Sequence, residues 1–272
     1  MVCISIITRR ASKVIVASLA PLIGLLPMSA LAQTNHCRGK IFLTFDTGSM
    51  SQAQLIADTL RQHAIRASFF LANEKTIRGD YSLDPSWDAY WRGLQADGHA
   101  FGTHTLDHLR WVRDLPNGAM QVKAQFGPQA GQLKTINAAQ YCQQLRAVAQ
   151  RFLQMTGKPL DPIWRAPAGA ISKNSLQAAK QCGYTHFGWA SAGFSGDELP
   201  SERFPNAQLL QNMLNGLKDG DIVMAHLGIW SRKQPWAPEV LPALIRGLQK
   251  KGFCFATLRE HPSYPSSARS QP

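Results

Sequence analysis

From Lys40 onward the chain alternates short apolar runs with segments of helical period. Ile41-Phe42-Leu43-Thr44-Phe45 is a run of strand length, and Gln52 to His63 sets Leu55, Ile56, Thr59 and Leu60 on one helical stripe. The alternation continues with strands predicted over 66–71 and 99–103 and a helix over 87–96. Pro116-Asn117-Gly118, Gly127-Pro128 and Gly131 mark a long irregular insertion. Helices over 137–155, 173–182, 206–217 and 238–250 then alternate with strands over 162–166, 184–188, 221–226 and 253–258. About seven strand–helix units with no internal boundary predict one α/β domain, a distorted (β/α) barrel of about seven strands. A doubly wound sheet is the alternative, but no Gly-x-Gly-x-x-Gly follows the first strand, so the usual reason to invoke a dinucleotide fold is missing. The Ser- and Pro-rich tail over 262–272 is expected to be disordered.

The first residues change the picture. Arg9, Arg10 and Lys13 precede an apolar run from Val14 to Leu26 that leads to Ala30-Leu31-Ala32. This reads as a signal peptide over 1–32, cleaved after Ala32, which sends the chain to the periplasm or the extracellular space. Its apolar core of about a dozen residues is short of the roughly 20 that a membrane span needs, and no later segment supplies one. Thr8-Arg9-Arg10 hints at twin-arginine export, but Ser12 and Lys13 follow where that signal has apolar residues.

Charge and cysteine content narrow the partners. The 272 residues carry 29 Lys and Arg against 17 Asp and Glu, a net charge of +12 that suits anionic surroundings such as cell-wall polymer, phospholipid headgroups or uronic acids. Nucleic acid is set aside, because an exported chain rarely meets it and no run of five Lys or Arg occurs. Once Cys3 is removed, Cys37, Cys142, Cys182 and Cys254 remain. None forms a Cys-x-x-Cys pair, so zinc ribbons and thioredoxin chemistry have no support.

In a barrel of parallel strands, polar residues at the carboxyl ends of strands gather at one mouth. In order these are Asp46 and Thr47, His104 and His108, Arg165, Trp189 and His226. A charge such as Asp46 at the buried end of an apolar strand is costly unless paired. His104 and His108 have the four-residue spacing of a two-point clamp for a divalent metal, on one face if the segment is helical.

Together these motifs resemble the polysaccharide deacetylases of the NodB homology domain, carbohydrate esterase family 4. Thr44-Phe45-Asp46-Thr47-Gly48 is similar to that family's Thr-Phe-Asp-Asp-Gly, His104 to His108 to its His-Ser/Thr-x-x-His, and Arg165-Ala166-Pro167-Ala168-Gly169 to its Arg-x-Pro-x-Gly. Arg66 to Leu71 resembles its second strand and Ile222 to His226 its closing histidine segment, so the resemblance runs from about Lys40 to Leu258 within a domain over 33–261.

The resemblance implies a zinc ion, with cobalt as the alternative, held by His104 and His108. It implies Asp46 as general base, Arg165 as the cation that keeps Asp46 ionised and oriented, and His226 as general acid. Trp189, with Trp230 or Trp236, is expected to wall a sugar site, with Ala168 and Met224 beside it. Core or rim packing is the competing account of these tryptophans.

Two departures stand out. The family's usual third ligand is the second aspartate of the first motif, here Thr47, so Asp46 or a water would have to fill the gap. The acidic fourth motif is Trp189-Ala190-Ser191-Ala192-Gly193, the aspartate that commonly supports Arg165 is missing there, and Asp197 is shifted. The expected function is a monomeric, exported N-deacetylase acting on an N-acetylhexosamine polymer. Peptidoglycan comes ahead of chitin-like glycans and O-acetylated xylan. The rival is a catalytically inactive glycan-binding protein on the same scaffold.

The barrel also predicts a disulfide. Cys37 precedes the first strand and Cys254 opens the last, so closure should bring them together as a bonded pair. Cys142, near the start of its helix, and Cys182, at the end of the next, are expected at opposite ends, beyond the roughly 7 Å reach of a bridge.

Overall fold

A computed structural model describes residues 37–266. The signal peptide expected over 1–32 lies outside the described residues. The expected barrel is present, and its first strand sets the frame. In β1 (Gly39–Asp46) every residue but one is buried, the continuous apolar run of a strand covered on both faces. It pairs in parallel with β2 (Ser68–Leu71), β9 (Ile222–His226) and β10 (Phe253–Phe255). Beyond β2 follow β3 (Ala100–Thr103), β7 (Ile163–Trp164) and β8 (Thr185–His186), which completes a seven-stranded parallel sheet. Helices α1 (Ala53–Gln62), α2 (Asp88–Ala96), α3 (Ala138–Thr156), α4 (Lys173–Gln181), α5 (Asn206–Gly216) and α6 (Ala237–Lys250) connect the strands. None of the described helices is long and apolar enough to cross a membrane.

Register explains the packing. Phe45, Phe69 and Phe101 stand opposite one another on β1, β2 and β3. Their rings stack at 5.5 and 5.6 Å, and Phe152 of α3 closes the row at 4.6 Å from Phe101. The alternate residues point to the other face, where Phe70 packs with Phe42, Ile163 and Phe187. Gly102 makes room there, since a Cβ on it would stand 2.7 Å from the Phe70 ring.

Two expectations need correction. The insertion expected to be irregular holds a three-stranded antiparallel sheet, β4 (Leu109–Asp114), β5 (Met120–Ala124) and β6 (Leu133–Ile136). Met120, Val122 and Ala124 alternate inward, and Asn117 and Gly118 take positive φ at the turn between β4 and β5, as tight hairpins require. Of the tail over 262–272, residues 262–266 are described, where Tyr264 is buried and donates its hydroxyl to Asp161 at 2.7 Å, and 267–272 lie outside the described residues.

Cys142 and Cys182, expected far apart, are bonded with Cα atoms 5.8 Å apart. At about 1.5 Å per residue, nine-residue α4 is far shorter than nineteen-residue α3. Its start is tied to the β4–β5 turn by Asn174, which donates to the Leu115 and Ala119 carbonyls, so its end reaches only the first turns of α3. Cys37 and Cys254 are bonded as expected, with Cα atoms 5.5 Å apart.

Candidate active site

The carboxyl ends of the parallel strands open into a cleft of about 750 Å³. Asp46 ends β1 and His226 ends β9, and the two are register partners. Arg165 follows β7 and is fully buried across the barrel, where its Nη1 donates to Asp46 Oδ1 at 2.8 Å. No second acid supports Arg165 among the described residues. Its Nε and Nη2 donate instead to the Phe187 and Gly188 carbonyls at 3.1 and 3.0 Å, and its guanidinium lies 4.2 Å from the Phe70 ring centre. Burial pushes the Asp46 carboxyl up, but Arg165, with His104 and His226, holds it below its ordinary range.

His226 is governed by Asp197, the residue whose shifted position hid its role in the sequence. Asp197 accepts the His226 backbone N–H at 2.7 Å and stands 3.0 and 3.2 Å from Nδ1, and Ser195 donates to it at 3.0 Å. Burial alone would lower the imidazole. The carboxylate of Asp197, with the charges of Asp46 and Glu198, outweighs it and raises His226 to about 10. The site therefore places an ionised carboxylate and an imidazolium on neighbouring strands.

The segment from His104 to His108 is not helical. It is a turn in which Thr105 and His108 take positive φ and Thr105 Oγ1 accepts the Leu109 N–H at 2.7 Å. The turn still brings the two rings together, with centroids 4.7 Å apart. Nδ1 of His104 donates to the Arg165 carbonyl at 2.9 Å, which fixes the tautomer and leaves Nε2 as the acceptor, 3.6 Å from Asp46 Oδ2. Burial lowers His104 to about 4, against the pull of Asp46, and keeps it neutral. His108 Nδ1 is buried with no hydrogen-bond partner among the described residues.

A neutral, oriented imidazole beside one with an orphaned nitrogen fits a divalent cation on the histidine side. Among the described residues no three His, Cys, Asp or Glu side chains form a ready-made cage. Thr47, where the resemblance leads one to expect a third ligand, donates its hydroxyl to Glu74 and accepts the Ala72 N–H at 3.2 Å.

Ala168, Trp189, Met224 and Trp230 all line the cleft. Trp230 is 59% exposed there, whereas Trp236 is buried in the core, so Trp230 is the residue of the two that faces the cleft. The antiparallel sheet contributes Lys123 from β5, and the loop between β5 and β6 contributes Phe126.

A parallel barrel with an ion-paired aspartate, a histidine pair and a carboxylate-backed imidazole at its carboxyl end defines a hydrolase-type site. Residues 33–187 match the family described as polysaccharide deacetylase, and the chain belongs to that family. It is 26% identical to the chitooligosaccharide deacetylase of Azorhizobium caulinodans over 85% of this chain and 100% of that protein. It is 22% identical to a peptidoglycan-N-acetylglucosamine deacetylase of Bacillus cereus, over 82% of this chain and 71% of that one.

Solved structures share the fold. A peptidoglycan N-acetylglucosamine deacetylase superposes with a TM-score of 0.61 at 21% identity, over 82% of this chain and 87% of that one. An acetyl xylan esterase of Clostridium thermocellum in complex with cobalt gives 0.60 at 19%, over 81% and 88%. A family pseudoenzyme of Bacillus anthracis gives 0.59 at 17%, over 82% and 65%.

Proposed function

We propose that the chain is an exported, metal-dependent hydrolase that removes N-acetyl groups from an N-acetylhexosamine polymer, with peptidoglycan ahead of chitin-like glycans. The observation that carries this reading is the pairing of Asp46, held ionised by Arg165 at 2.8 Å, with His226, held cationic by Asp197 at 3.0 Å. Amide hydrolysis needs a group to take a proton from the attacking water and another to give one to the departing amine. Asp46 takes the first proton. His226 gives the second as the carbon–nitrogen bond breaks, so acetate and a free amine leave. Zinc or cobalt at His104 and His108 would acidify the water and polarise the acetamide carbonyl. Trp189 and Trp230, with Ala168 and Met224, bind the sugar in the cleft. Peptidoglycan is favoured by the named relative and solved structure that act on it and by the basic composition of an envelope protein.

A second reading, an inactive glycan binder, is favoured by Thr47 and by the pseudoenzyme among the structural neighbours. A binder has no need of base, acid and their two counter-charges together at one mouth. Acetate release from peptidoglycan, chitin oligomers and acetylxylan, with and without chelator and added zinc or cobalt, tests the two. Release from one glycan, abolished by chelator, is expected. Binding without release from any of the three would establish the inactive reading.

A further inference from the structure

Glu74 lies three residues beyond β2 and is only 7% exposed. Its backbone is fixed to Ser82 in both directions, at 3.1 and 2.9 Å. Its Oε1 accepts from the Thr47 hydroxyl and from the Gly48 N–H at 2.9 Å. Oε2 takes no hydrogen bond among the described residues, no Lys or Arg pairs with the carboxylate there, and the residue lines the same cleft as His104 and His108. A carboxylate this buried, whose only hydrogen-bond partners among the described residues are a hydroxyl and an amide, is short of positive charge. The carboxylate already beside the imidazoles, Asp46 at 3.6 Å from His104, is tied to Arg165, so a divalent ion held by the histidines would draw on a further anion lining the cleft. Two histidines and one carboxylate form a known protein set for catalytic zinc, which keeps a position open for water.

We propose that Glu74 supplies the anionic ligand that position 47 lacks, making the divalent site His104, His108 and Glu74, with Thr47 as the residue that positions Glu74. The proposal deepens the functional reading above and rests on its metal. It also accounts for the departure in the first motif. An aspartate at position 47 would set a second carboxylate against Glu74 and repel it, whereas the Thr47 hydroxyl donates to it. The three side chains are not a finished cage, so Glu74 completes the site through its free oxygen while Thr47 and Gly48 keep hold of the other.

Zinc calorimetry on metal-stripped protein tests this without reference to turnover. Glu74→Gln keeps an acceptor for Thr47 and Gly48 but loses the charge, and it should weaken zinc binding by at least about tenfold. His104→Ala should lose it, and the exchange Thr47→Asp with Glu74→Gln should restore it. Zinc affinity in Glu74→Gln equal to wild type, or no zinc binding by wild type, overturns the proposal. Should Glu74→Gln not fold, a crystal structure of zinc-loaded wild type decides: a Glu74 oxygen at about 2.0–2.2 Å from the metal supports the assignment, and its absence refutes it. Weakened zinc in Glu74→Gln without acetate release by wild type would end the deacetylase reading and leave the ligand assignment standing. Release with unchanged zinc affinity would do the reverse.

Discussion

Replacing Asp197 by Asn keeps the shape of the His226 support and removes its charge. In the wild type His226 titrates at about 10, so near pH 8 about 99% is imidazolium and available as an acid. In Asp197→Asn, burial still lowers the imidazole while Asp46 and Glu198 still raise it. If these balance at the ordinary value of about 6.5, only about 3% is protonated near pH 8 and turnover should fall about 30-fold. Near pH 6 about three-quarters is protonated, so the deficit should shrink to less than about twofold. The assay is the rate of acetate release across this range for both proteins. Parallel profiles, or an equal loss at both ends, would refute the assignment of His226 as an acid poised by Asp197. Stability carries the same sign. A raised histidine stabilises the fold fully below its unfolded value of about 6.5, and the contribution is lost as pH rises through about 10. Asp197→Asn should therefore unfold earlier than wild type at low pH and converge with it in alkali.

Asp46→Asn and His226→Ala should each lower turnover at least about a hundredfold, measured as acetate release, while circular dichroism shows an intact fold. Phe69→Ala removes the middle ring of the β1–β2–β3 row and should cost about 3–5 kcal/mol in denaturant unfolding. Replacing both Cys37 and Cys254 by Ser opens a loop of 217 residues and should cost about 5 kcal/mol on the chain-entropy model, against about 4 for the 40-residue Cys142–Cys182 loop. Unfolding of the two double variants checks the order. Mapping without reduction should find none of these four thiols free.

Much of the barrel was legible because buried parallel strands and amphipathic helices write different periods into the chain. Ile41 to Phe45 has no polar outer face to interrupt it, and the α1 stripe repeats at the helical period. The antiparallel sheet was harder to see because its strands are short and half exposed. The alternation Met120-x-Val122-x-Ala124 beside Asn117-Gly118 was the signal that could have revealed it. The Cys142–Cys182 bond was misjudged because helix direction was read without helix length.

The site divides along the same line. Asp46, His104, Arg165 and His226 could be gathered from sequence because a parallel barrel delivers every strand end to one mouth, so position along a strand stands in for position in space. Glu74 and Asp197 sit in loops that turn back onto the mouth, and no periodicity governs such returns. Thr47 makes the consequence concrete. Read alone, it is a missing ligand. Its oxygen, however, bonds to a carboxylate 27 residues on, and His226 draws its charge from an aspartate 29 residues before it. A substitution in a strand-end motif therefore measures loss of chemistry only after the loops facing that position have been placed, because a carboxylate reaching in from a neighbouring loop can supply charge at the same point in space.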